Sequence, residues 1–287
     1  METKRIIYYY QTFNGLGPLL SLKSQPCTHI HLASIHFGVE KDGKTPYIHL
    51  NNNHPNDPVF DNLWKDIKKA KSLDIQIILM IGGEGGGFQT LFSNFEVYYQ
   101  LLQETLNNHP EITGIDLDIE ERVSIKNIEI LIQKIMLNNL HFTIAMAPVS
   151  SSLEFDGSSM AGFSYKDLYK SSVGHYIDYF NGQFYYGDYT LNGFERCVEN
   201  GYPPSKIVMG MIANPSTLKN NLDTLEEVVK KYPDMGGAFI WEYYDGDKPP
   251  QKWAIKVNNI LHSEKSFRFV KNTKEYIFSR DSYCCIL

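Results

Sequence analysis

Eight short runs of apolar, β-branched and aromatic residues recur along this chain at intervals of about 30 residues, the length of one strand–helix unit. They cover residues 5–10, 29–36, 75–81, 114–120, 142–147, 176–184, 206–212 and 237–241. Between them, apolar residues return every three or four positions, the spacing of one helix face. The helical candidates span 62–72, 91–107, 125–137, 192–200, 222–232 and 252–262. Parallel strands need a long crossover, and a helix is the usual one. Eight such alternations predict an α/β fold, a single (βα)8 TIM barrel over residues 1–262, with a C-terminal tail over 263–287. Residues 41–58, which contain Tyr47-Ile48-His49-Leu50, read as a short insertion after strand two, in the form of a hairpin. At 287 residues and 43% hydrophobic, the chain buries one substantial core without needing a second domain.

The fourth run differs from the other seven. In Gly114-Ile115-Asp116-Leu117-Asp118-Ile119-Glu120, three carboxylates alternate with three apolar residues. Strand side chains point alternately to opposite faces, so Asp116, Asp118 and Glu120 share one face. Neighbouring carboxylates do not all ionise cheaply in a low-dielectric site, so one of them is expected to hold a proton. A neutral acid beside a charged one suits proton donation to a leaving group. The bare pattern also fits an edge strand whose polar face meets water, or a divalent-metal site. A closed barrel weakens both readings, because it has no edge strand and an interior acid without a task is expensive to bury. In a barrel the acids point inward, and Glu120 stands highest, at the carboxyl-terminal rim where barrel active sites lie.

Other strand ends bring further groups to that rim: Gly82-Gly83 after strand three, Met146 on strand five, Gln183-Phe184-Tyr185-Tyr186 on strand six, and Trp241 on strand eight. Glycines after strand three let backbone approach a ligand closely, and no Gly-Lys-Ser/Thr follows to make a phosphate loop. Glu84, Glu121 and Glu242 read as loop charges. His29 and His31 share a strand face without a third ligand at zinc spacing, so no metal and no cofactor is expected. A net charge of −6 argues against nucleic acid as a partner. The 19 Tyr, 16 Phe and 3 Trp would serve sugar stacking and core packing alike, so composition does not separate the two.

Residues 114–120 resemble the signature of glycoside hydrolase family 18, the chitinases and endo-β-N-acetylglucosaminidases. That signature reads Asp/Asn-Gly-apolar-Asp-apolar-Asp-x-Glu on barrel strand four, and only Thr113 departs from it. Gly82-Gly83 resembles the family's Ser-x-Gly-Gly, with Met80 in place of Ser. Gln183-Phe184-Tyr185 resembles the strand-six motif of small plant-type chitinases, and Trp241 the tryptophan that ends strand eight. Tyr186 stands where the family usually has Asn or Asp to hold the substrate's acetamide, and Asp188 is a candidate replacement.

The resemblance implies a retaining hydrolase of β-1,4-linked N-acetylglucosamine polymers or oligosaccharides, in which the substrate's own 2-acetamido group is the nucleophile. It makes Glu120 the general acid and Asp118 the group that orients the acetamide. Asp116 would share a proton with Asp118, and Tyr185 would hydrogen-bond the acetamide carbonyl. Trp241, Gln183, Met146, Gly82 and Gly83 would line the substrate, with Trp241 beneath the sugar. The alternatives are an endo-β-N-acetylglucosaminidase acting on the N-glycan core and a catalytically silent sugar-binding barrel, and the presence of Glu120 speaks against the latter.

Residues 1–5 lead straight into a strand without an apolar leader, and no apolar run reaches the length of a membrane span. A cytoplasmic, monomeric enzyme is expected. Cys27, Cys197, Cys284 and Cys285 offer no disulfide framework. Cys284-Cys285-Ile286-Leu287 fits a C-a-a-X prenylation box, with Arg268, Lys271, Lys274 and Arg280 upstream. Lipidation at Cys284 would bring the tail to a membrane surface.

Overall fold

Eight parallel strands close into a barrel, as the strand–helix rhythm predicts. In the computed structural model, which describes residues 4–157, 159–245 and 248–263, the strands are β1 (Arg5–Tyr10), β2 (His29–Val39), β3 (Pro46–Leu50), β4 (Gln76–Gly82) and β5 (Ile112–Asp118). They continue with β6 (Thr143–Met146), β7 (Ile177–Gln183), β8 (Ile207–Ile212) and β9 (Gly237–Trp241). Neighbours run β1-β2-β4-β5-β6-β7-β8-β9, and β9 returns to β1. The ninth, β3, pairs antiparallel with the long end of β2, with His36 opposite His49. It is the hairpin expected after strand two.

The connections carry α1 (Gly17–Leu20), α2 (Asp61–Ser72), α3 (Phe88–Ser93), α4 (Phe95–Asn108) and α5 (Ile125–Asn138). After β6 come α6 (Ser150–Glu154), α7 (Tyr165–Lys170), α8 (Leu191–Glu199), α9 (Pro215–Lys231) and α10 (Gln251–Leu261). On α5 the buried residues are Ile128, Leu131, Ile132 and Ile135, a single apolar stripe at helical spacing. Capping decides where α9 begins. Asn214 accepts a hydrogen bond from the Ser216 amide and Pro215 occupies the first turn, so the helix starts well before the 222–232 stretch that periodicity picks out. The continuous helix expected over 91–107 is instead two helices, broken at Asn94.

Strand alternation divides the apolar residues between two cores. Ile115 and Leu117 of β5 point outward and join the helices in the larger core. Ile7, Tyr9, Ala33, Met80, Ala145, Tyr179, Val208 and Phe239 fill the barrel interior. The same alternation delivers Asp116 and Asp118 to that interior.

The seam between first and last strands is tight. Arg5 pairs with Gly237, where a Cβ would lie 2.0 Å from the Arg5 carbonyl oxygen at a φ of +134°. No side chain fits there without parting the strands. Gly237→Ala is therefore expected to lower stability by about 2–4 kcal/mol, read as a shift of the urea midpoint. A midpoint equal to that of the wild type would contradict the seam geometry. Among the described residues no helix is long and apolar enough to cross a membrane. Cys284 and its box lie outside the described residues.

Candidate active site

The acids form a column whose burial falls step by step toward the rim. Asp116 is fully buried, Asp118 is 6% exposed, and Glu120, on the loop just beyond the end of β5, is half-buried. Gln183, at the end of β7, reaches across to them. Its amide nitrogen donates to Asp118 Oδ1 at 3.1 Å and to the Ala147 carbonyl at 2.8 Å. Burial pushes the Asp118 carboxyl well above the usual carboxylate range, and the charges of Glu120 and Asp116 push it the same way. Burial raises Glu120 as well, against a hydrogen bond from Gln183 that pulls it down and with Glu84 adding to the rise. The rim thus holds two carboxyls that keep protons to higher pH than free side chains do.

Asp116 sits in a cage of polar groups from three other strands. The Tyr9 hydroxyl donates to Asp116 Oδ2 at 2.5 Å, and His31 Nδ1 lies 2.8 Å from the same oxygen. Asn181 Nδ2 donates in turn to the Tyr9 hydroxyl at 2.9 Å. Asp116 Oδ1 has no partner among the described residues.

Tyr185 and Trp241 pack at the mouth against the interior core. The Trp241 ring centre is 5.4 Å from that of Tyr9. Burial, with the charges of Asp118, Glu120 and Asp116 behind it, holds the Tyr185 phenol well above its ordinary value, so the hydroxyl stays a donor. Gly82 and Gly83 sit beside Asp118 for a backbone reason. Gly83 N donates to the Asp118 carbonyl at 2.9 Å, and a Cβ on Gly82 would lie 2.3 Å from that oxygen at a φ of +90°. These glycines let the loop after β4 cross the end of β5 at close range.

Met146 is the correction among the expected site residues. It belongs to the outer core with Ile144, while Ala145 faces the acids, so its position on β6 turns it toward the helices. Tyr186 is 95% exposed with a φ of +51°, in the left-handed region that Asn and Asp tolerate best. Asp188 is exposed, and its carboxylate accepts from the Ser150 hydroxyl at 3.4 Å. Neither Glu121 nor Glu242 is a free loop charge. Glu121 accepts from the Gly87 and Phe88 amides and so caps α3. Glu242 is buried and holds the Gln11 amide and the Thr12 hydroxyl, each at 3.1 Å.

On the β1–β4 side of the column lies a polar cleft of about 570 Å³, with Gln11, His36, Tyr47, Asn51, Asn52 and Thr90 in its walls. Sequence reasoning assigned none of these residues a role at the site, weighed His31 only as a zinc ligand, and did not single out Tyr9, Tyr179 and Asn181. Only the parity of strand positions could have found the last four. Among the described residues, no three His, Cys, Asp or Glu side chains are grouped to hold a metal ion.

A closed (βα)8 barrel with a graded column of carboxyls at the carboxyl end of its fourth barrel strand defines a glycoside hydrolase. The chain belongs to glycosyl hydrolases family 18, whose model matches residues 5–278. A fungal endo-β-N-acetylglucosaminidase of family 18 is similar in structure, with a TM-score of 0.81 and 32% identity over 91% of this chain and 99% of that one. Chitinase ChiC of Aspergillus fumigatus has a TM-score of 0.77 and 28% identity, covering 88% of this chain and 98% of its own. A chitinase-like agglutinin from Robinia pseudoacacia, 11% identical with a TM-score of 0.62 over 89% of this chain and 99% of its own, shares the fold alone. Among curated protein sequences there is no match.

Proposed function

We propose that the protein hydrolyses the β-1,4 bond between N-acetylglucosamine residues of chitin-type oligosaccharides, with retention and with the substrate's acetamide as nucleophile. One observation carries this reading: Asp118 and Glu120 stand side by side at the rim, both with raised affinity for a proton, with the Gln183 amide between them. Glu120 gives its proton to the glycosidic oxygen as the bond from that oxygen to C1 breaks. The acetamide carbonyl oxygen then bonds to C1 and yields an oxazolinium ion. Asp118 accepts the acetamide N–H and meets the positive charge, a charge that exists only past the ground state. The Tyr185 hydroxyl directs the acetamide carbonyl, and Trp241 supports the sugar ring. Glu120, now ionised, takes a proton from water as the water attacks C1 and restores the acetamide.

The chitobiose core of an N-glycan contains the same bond. The likeness to an endo-β-N-acetylglucosaminidase over 91% of this chain favours it as a second substrate. Incubating the purified protein with chitooligosaccharides and, separately, with a high-mannose glycopeptide tests both, with products identified by mass. Shortened chitooligosaccharides are expected, and a glycopeptide cut to a single N-acetylglucosamine would add the second substrate. Folded protein that cleaves neither would end this reading.

A further inference from the structure

Beneath Asp118, the ring of His31 on β2 is wholly buried among side chains from β1, β5 and β7. Its Nδ1 lies 2.8 Å from Asp116 Oδ2 and its Nε2 lies 3.1 Å from the Tyr179 hydroxyl. Counting hydrogens gives each bond its direction. Asn181 fills the acceptor side of the Tyr9 hydroxyl, so the Tyr9 hydrogen goes to Asp116 Oδ2. That oxygen already receives one hydrogen, and its contact with His31 is a bond when Nδ1 brings a second. With the ring hydrogen on Nδ1, Nε2 is the bare nitrogen, and the Tyr179 hydroxyl, kept protonated by burial, donates to it. The result is a one-way chain in which Tyr179 donates to His31 and His31 donates to Asp116.

On β7, Asn181 Nδ2 lies 3.5 Å from His31 Nδ1, farther than the 2.8 Å from that nitrogen to Asp116 Oδ2. On β4, Met80 is the register partner of Asp116 and offers it no hydrogen. On β2, burial lowers His29 well below the ordinary histidine value. On β1, the Arg5 guanidinium lies 4.3 Å over the Tyr179 ring. On β7, Asp178 accepts from the Ile144 amide and adds to the rise of Tyr179. Asp118 is the next carboxyl along β5, and its neighbour Asp116 keeps Oδ1 without a hydrogen-bond partner among the described residues.

We propose that His31 is a positioning residue of the hydrolytic site: with Tyr9 it anchors Asp116 through Oδ2 and fixes that carboxyl beneath Asp118. Donors aimed at a carboxylate favour its ionised form. The role rests on the reading of the site given above.

The test compares wild type, His31→Leu and His31→Asn by melting temperature and by the pH profiles of kcat and kcat/KM on a chitooligosaccharide. His31→Leu is expected to lower kcat about 10- to 100-fold with little change in KM, the size of a lost hydrogen bond to a charged group. Its acid limb should move up by about one pH unit, because the lost donor had favoured the charged form. His31→Asn, whose amide reaches the Nδ1 position, should recover most of kcat and return the limb toward wild type. A folded Leu variant with wild-type kcat and acid limb would overturn the proposal, as would a folded Asn variant no better than Leu. A wild-type protein without turnover would count against the proposed function instead. A ¹³C titration of the Asp116 carboxyl then decides for His31, an unmoved midpoint in the Leu variant refuting it and an upward shift supporting it.

Discussion

Glu120→Gln is expected to leave the protein folded and able to hold oligosaccharide while turnover falls by about 10²–10⁴-fold, the share general-acid catalysis usually carries. The two side chains have nearly the same shape, so the half-buried position beside Gln183 tolerates the exchange. What is lost is the proton. A sugar hydroxyl leaves poorly as an alkoxide, and an amide gives it nothing. Glu120 is suited to the task because burial keeps it protonated above the ordinary glutamate range. The checks are kcat on a chitooligosaccharide, a thermal melt and calorimetric binding of the same ligand. An aryl glycoside with an acidic phenol as leaving group should show a much smaller loss, since that group departs without help. Turnover near the wild-type rate on the natural linkage would remove Glu120 from its role.

Asp118→Asn is expected to do two opposite things. It should lower kcat by about 10²-fold or more, because a neutral amide does not meet the charge of the oxazolinium ion. It should also raise the melting temperature at pH 7. Burial, Glu120 and Asp116 raise Asp118 above its unfolded value, so the native state binds more protons than the unfolded chain between the two values. The stability contributed by this group is complete below the unfolded value and is lost as pH rises through the folded one. Asn does not ionise and escapes that loss, while its carbonyl oxygen still accepts from Gln183. A gain of about 2–4 °C at pH 7 corresponds to one kcal/mol in a domain of this size. The gain should vanish below about pH 4, where Asp118 is neutral in both states. Equal melting at both pH values would mean that no strained carboxylate sits there.

The barrel was legible because its strands and helices differ in period, and the acid column because Asp116, Asp118 and Glu120 are two residues apart. That rule reaches only as far as each strand does. Glu120 stands beyond the end of β5, which only the strand limit shows, and Met146 turns to the helices because the register of β6 sets Ala145 beside Asp116. The short helices α6 and α7 escaped notice since so few residues show no periodicity. His31, Tyr9, Tyr179 and Asn181 look like ordinary strand residues in one dimension. Their meeting depends on register across the sheet, in which Tyr9 lies beside His31 and Met80 beside Asp116. Glu121 and Glu242 follow site positions directly, yet each is spent on holding a loop.

The seam joining Arg5 to Gly237 bears on how the protein comes into being. The first strand emerges from the ribosome long before its second neighbour, and Tyr9 must wait for both Asp116 and Asn181 to be synthesised. Contacts so distant along the chain make for slow maturation, and an unfinished polypeptide exposes strand edges that chaperones would need to shield. Fragments ending before Gly237 should therefore be degraded or aggregate rather than persist as partial enzymes.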